Sequence, residues 1–126
     1  MAKILLIEDD KAVADSLSFV LRRNDHEISH AANTHAAKQE LGSSSFDCAF
    51  IDVWLGDEDG LEFLADNAAL FSATPFIVIS GGGPGRTLEN VTARADAYGA
   101  VRMLYKPFED SELLDALSQA LKASAN

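Results

Sequence analysis

Three short runs of uninterrupted apolar residues constrain this chain more than any other feature: Ile4-Leu5-Leu6-Ile7, Cys48-Ala49-Phe50-Ile51 and Phe76-Ile77-Val78-Ile79. A strand with one wet face alternates polar and apolar side chains, so a run with no polar position requires both faces to be covered. The runs are too short for buried helices and read as inner strands of a parallel sheet with helices on either side. The segments between them supply those helices. Val13, Leu17, Val20 and Leu21 share one helical stripe behind Asp10, a residue suited to cap it. Leu88, Val91, Ala95 and Tyr98 form a second stripe that runs up to Gly99, and Leu113, Leu114, Leu117 and Leu121 form a third. Glu27-Ile28-Ser29-His30-Ala31 alternates as an edge strand does, and Ala37 with Leu41 mark a short helix ended by Gly42.

Strand and helix thus alternate along the chain, which implies right-handed crossovers and an α/β fold. The arrangement expected at this size is a five-stranded parallel sheet in the order 2-1-3-4-5 with helices on both faces, doubly wound and flavodoxin-like. A length of 126 residues suits one domain spanning 1–126. Gly81-Gly82-Gly83-Pro84-Gly85 opposes both regular structures and reads as a loop.

In sheets of this kind ligands bind beyond the carboxyl ends of the strands, where strand order reverses. The residues at those ends are polar: Glu8-Asp9-Asp10 after the first run, Asp52 after the third strand, Ser80 after the fourth and Lys106-Pro107 after the fifth. The order 2-1-3-4-5 makes the first and third strands neighbours, so Glu8, Asp9 and Asp52 should converge. Three carboxylates beside one lysine lack counter-charge, and a hard divalent cation, Mg²⁺ best of all, is the natural occupant. A carboxylate nucleophile with a lysine and a hydroxyl nearby is also a set suited to phosphoryl transfer.

The net charge of −10 disfavours nucleic acid and anionic membrane surfaces as partners. One cysteine cannot make an internal disulfide, and neither a signal segment nor a bilayer-spanning apolar run is visible, so the expected location is the cytoplasm. Cys48 within an apolar run reads as a buried small hydrophobe. His26, His30 and His35 lack ligand spacing and read as surface residues, and Asp57, Glu58 and Asp59 as a solvated acidic loop able to attract a basic partner.

Ile4 through Asp10, Asp52 followed by Asp59-Gly60, Ser80-Gly81, and Lys106-Pro107-Phe108 together resemble the receiver domain of two-component response regulators, the CheY-like family, over essentially the whole chain. The resemblance implies that Asp52 is the phosphoacceptor, taking a phosphoryl group from a histidine kinase or a phosphotransfer protein. It implies that Asp9, Asp52 and the backbone carbonyl of Trp54 hold Mg²⁺, with Glu8 acting through a water. Ser80 and Lys106 would contact the phosphoryl group, and a cis peptide would precede Pro107. The domain would catalyse its own phosphorylation and dephosphorylation, turn over no metabolite, and address a downstream protein through the face from Thr87 to Tyr105.

Three positions depart from the family pattern. Met103 stands where many receivers carry an aromatic residue that moves with the hydroxyl, and it reads as a core methionine. The stretch from Ser80 to Lys106 is a few residues longer than usual. Trp54 is larger than the common residue at its position, and serves either as a loop anchor or to crowd the hydrolytic water. The competing reading is a degenerate receiver that docks a partner without phosphorylation. An aspartate-nucleophile phosphatase would want an acid at position 54, and a flavodoxin-like carrier would leave the acidic cluster and Lys106 unexplained.

Overall fold

The structure, a computed structural model, describes residues 1–81 and 88–124. Five parallel strands form the sheet: β1 (Lys3–Ile7), β2 (Glu27–Ala31), β3 (Cys48–Asp52), β4 (Phe76–Ser80) and β5 (Arg102–Tyr105). Their order is β2-β1-β3-β4-β5, as expected from the sequence, and all the pairings are parallel.

Successive side chains of a strand point to opposite faces, and each apolar run therefore feeds two cores. Leu5, Ile7, Ala49, Ile51 and Val78 face one layer. There they meet Ala37 of α2 (Thr34–Ser43), Leu61, Phe63 and Leu64 of α3 (Gly60–Asp66), and Val91 and Ala95 of α4 (Leu88–Ala97). Ile4, Leu6, Cys48, Phe50, Ile77 and Ile79 face the other. They pack on Ala14, Leu17 and Leu21 of α1 (Lys11–Arg23) and on Leu113, Ala116, Leu117 and Ala120 of α5 (Asp110–Ser124). Each fully buried Leu, Ile or Phe removed from water contributes roughly 1.5–3 kcal/mol, so the sheet's inner strands dominate the stability of the domain.

Helix ends follow their local chemistry. The Asp10 carboxylate accepts the backbone N–H groups of Ala12 and Val13 at the start of α1, at 2.9 and 3.2 Å. Gly99, beyond α4, sits at φ +95°, a conformation in which a side chain is strained. Gly42 does not end α2: the helix continues to Ser43, and the Ser44 N–H bonds the Glu40 carbonyl instead. Two features were not read from the sequence. A two-stranded ribbon pairs Trp54–Leu55 with Glu58–Asp59, and α3 follows directly at Gly60. Of the glycine-rich segment, Gly82, Gly83, Pro84 and Gly85 lie outside the described residues, as does Thr87.

Candidate functional site at the carboxyl edge of the sheet

Asp52 closes β3 and is only 4% exposed. One of its oxygens accepts the backbone N–H of Trp54 at 2.8 Å and the other accepts the Lys106 ammonium at 2.6 Å. The same ammonium lies 3.2 Å from Glu8 Oε1, so one cation serves two carboxylates contributed by β1 and β3. Lys106 is aimed by its surroundings. Its N–H donates to the Ser80 carbonyl at 2.9 Å, and its side-chain stem passes Gly81, where a Cβ would stand 3.2 Å from Cδ. The Lys106–Pro107 peptide is cis, as the resemblance implies.

Electrostatics at this edge are unbalanced. Burial pushes the Glu8 carboxyl up to about 7, the neighbouring Asp52 charge adds to the rise, and Lys106 opposes it only in part. Burial would lower Lys106, but the hydrogen bond and charge of Asp52, together with Glu8, outweigh it and hold the ammonium above its ordinary value. Two carboxylates on one ammonium leave a net negative charge, to which Asp9, exposed at the rim, adds another. Among the described residues no three His, Cys, Asp or Glu side chains form a closed metal cluster. Glu8 and Asp52 close on Lys106 instead, while the Asp9 carboxylate faces the ribbon turn at Gly56, where a Cβ would lie 3.9 Å from its Oδ2. The donors are all hard oxygens with excess negative charge, which fits Mg²⁺ and does not fit zinc.

Ser80 closes β4, is 3% exposed and pairs in register with Tyr105. Trp54 and Met103 are half-buried and pack on the core layer of α2, α3 and α4. Gly60 approaches the Asp52 backbone so closely that a Cβ would collide with its carbonyl oxygen, and its N–H donates to Val53 O at 2.8 Å.

Two expectations need correction. The acidic segment is not simply solvated. Glu58 accepts the Thr34 hydroxyl at 2.5 Å, while Asp59 caps α3 through the N–H groups of Leu61 and Glu62 and lies 3.6 Å from Arg94. Of the three, Asp57 alone is exposed. Nor are all the histidines surface residues: His26 is half-buried and accepts the Ala2 N–H at Nδ1, 3.0 Å away, whereas His30 is exposed as expected, with its Nε2 2.7 Å from the Glu8 carbonyl oxygen. His35 is exposed, and the Cys48 thiol, fully buried, is pushed up to about 12 by burial, as suits an inert core residue. The contacts of Thr34, His30 and Arg94 left no sequence signal, because each joins segments that are adjacent only in the fold.

Comparison with known proteins gives one consistent result. The model of the response regulator receiver domain matches residues 4–118. Transcriptional regulatory protein FixJ of Bradyrhizobium diazoefficiens is 32% identical over 119 residues, covering 94% of this chain and 56% of that protein. The chain spans about half the length of the curated relatives it matches. A CheY-like receiver domain protein from Methanospirillum hungatei JF-1 superposes with a TM-score of 0.88 at 26% identity, covering 99% of this chain and 97% of that one. The receiver domain of an HD domain-containing protein from Pseudomonas fluorescens Pf-5 gives 0.86 at 30% identity, covering 98% and 96%.

Proposed function

The chain belongs to the response regulator receiver family, and from that premise we propose that it is a phosphorylation-dependent switch of two-component signalling with Asp52 as its phosphoacceptor. The observation that carries this reading is the shared ammonium: Lys106 sits 2.6 Å from Asp52 and 3.2 Å from Glu8 at the buried carboxyl edge of the sheet. A carboxylate held there by the Trp54 N–H and Lys106 has its rotational freedom restricted, which favours its action as a nucleophile.

In the proposed step an Asp52 oxygen attacks the phosphorus of a phosphohistidine on a histidine kinase or phosphotransfer protein. The P–N bond breaks and its electron pair returns to the imidazole. Lys106 then follows the charge onto the phosphoryl oxygens, and the Ser80 hydroxyl donates to one of them. Asp9, Asp52 and the Trp54 carbonyl would hold Mg²⁺, with Glu8 acting through a water, and the bound ion would supply charge neutralisation for the transferred group. Hydrolysis of the acyl phosphate by water restores the carboxylate and resets the switch.

In this reading residues 1–126 form one receiver unit that works in the cytoplasm and addresses a downstream protein across α4 and β5. Among the described residues no helix is long and apolar enough to cross a membrane. Intact mass after incubation with Mg²⁺ and acetyl phosphate tests the chemistry. A gain of one phosphoryl group in wild type and none in Asp52→Asn is expected. No mass gain in wild type, with Mg²⁺ binding confirmed, would overturn it in favour of a docking module that works without phosphorylation.

A further inference from the structure

Helix α4 is tied to the fold by polar contacts on two sides. On one side Thr92 and the Tyr105 hydroxyl of β5 share a hydrogen bond of 2.6 Å. On the other, Arg94 Nη1 lies 3.6 Å from Asp59 Oδ2, with its guanidinium also over the Tyr98 ring. Each anchor is next in sequence to a residue that touches Asp52. Tyr105 precedes Lys106, whose ammonium is 2.6 Å from Asp52, and is in register with Ser80. Asp59 precedes Gly60, which packs on the Asp52 carbonyl with no room for a Cβ. Among the described side chains of α4, Val91 and Ala95 are fully buried.

We propose that Tyr105 and Arg94 are the positioning residues through which α4 responds to the state of Asp52. This rests on the switch reading above and assigns its route. A phosphoryl group on Asp52 draws the Lys106 ammonium outward, and the shift reaches Tyr105 through one peptide unit. The same added charge repacks the Asp52 end of β3 against Gly60, and Asp59 carries that change to Arg94. Both contacts are partly exposed, so each is weak enough to be exchanged when the site changes.

The test uses the whole chain with Mg²⁺ and acetyl phosphate. Phosphoryl gain is read by intact mass, and amide hydrogen exchange is followed over residues 90–97, with α1 as the internal reference. In wild type, phosphorylation is expected to change exchange in α4 about tenfold and leave α1 unaltered. In Tyr105→Phe, and more fully in Tyr105→Phe with Arg94→Gln, the phosphoryl gain is retained while the α4 response falls at least threefold. Tyr105→Phe removes a single hydroxyl, so it keeps the test readable if the double variant folds poorly. A response of wild-type size in the phosphorylated variants would overturn the route and leave the switch reading standing. No phosphoryl gain in wild type would overturn both.

Discussion

Glu8 is the residue at which burial and charge pull hardest against each other. It is 2% exposed, its carboxyl is pushed up to about 7, and among the described residues it shares its one cationic partner, Lys106, with Asp52. Its folded value lies above the unfolded one, so between pH 4.5 and about 7 the folded state binds more protons, and stability falls as pH rises through that window. Above it the full cost of the buried charge is present; below it the cost is gone. Glu8→Gln, with Mg²⁺ chelated, should therefore be more stable than wild type at pH 8 by about 1–3 kcal/mol and unfold at a higher temperature. The advantage should vanish by about pH 4.5. Thermal unfolding of the pair across pH checks this, and an advantage independent of pH would assign the effect to packing. The carboxylate itself was legible in the sequence because it follows an apolar run. Its closure on Lys106 was not, since that contact joins residues 98 positions apart.

Elements were legible in proportion to how fully burial is written into them. The inner strands stand out because two cores claim alternate residues of each, and α1 and α5 because a single stripe faces one layer. The ribbon and α3 were missed for a physical reason. Their identity rests on the Gly60 approach to Asp52 and on the Asp59 cap, both set by neighbours rather than by periodicity. Gly42 misled because glycine after a helix commonly takes a left-handed turn, whereas α2 ends through the Ser44 N–H. Where capping chemistry was read correctly it carries a magnitude. Asp10→Ala frees the Ala12 and Val13 N–H groups at the start of α1 and should lower stability by about 1 kcal/mol. Urea unfolding should show the midpoint fall with the slope unchanged. An unchanged midpoint would mean that water replaces the cap without loss.

At the scale of the whole molecule, the acidic edge exists only when the strand order is in place. Glu8, Asp9, Asp52 and Lys106 come from the ends of β1, β3 and β5, and nothing in the unfolded chain gathers them. A cation bound at that edge binds the folded state alone and must stabilise it. At a free concentration about one hundred times Kd the gain is about 2.7 kcal/mol. A chain with a net charge of −10 is also stabilised by any salt that screens self-repulsion, so the comparison belongs at constant ionic strength. Under that condition Mg²⁺ should raise the melting temperature of wild type by several degrees, and Asp9→Ala should lose most of the increment because its carboxylate stands at the rim without a lysine partner. Equal increments in the two proteins would move the cation away from this edge. The acidic cleft lined by Asp57, Glu62 and Asp66 would then be the place to look, and the phosphoryl chemistry of Asp52 would have to rely on Lys106 for its positive charge.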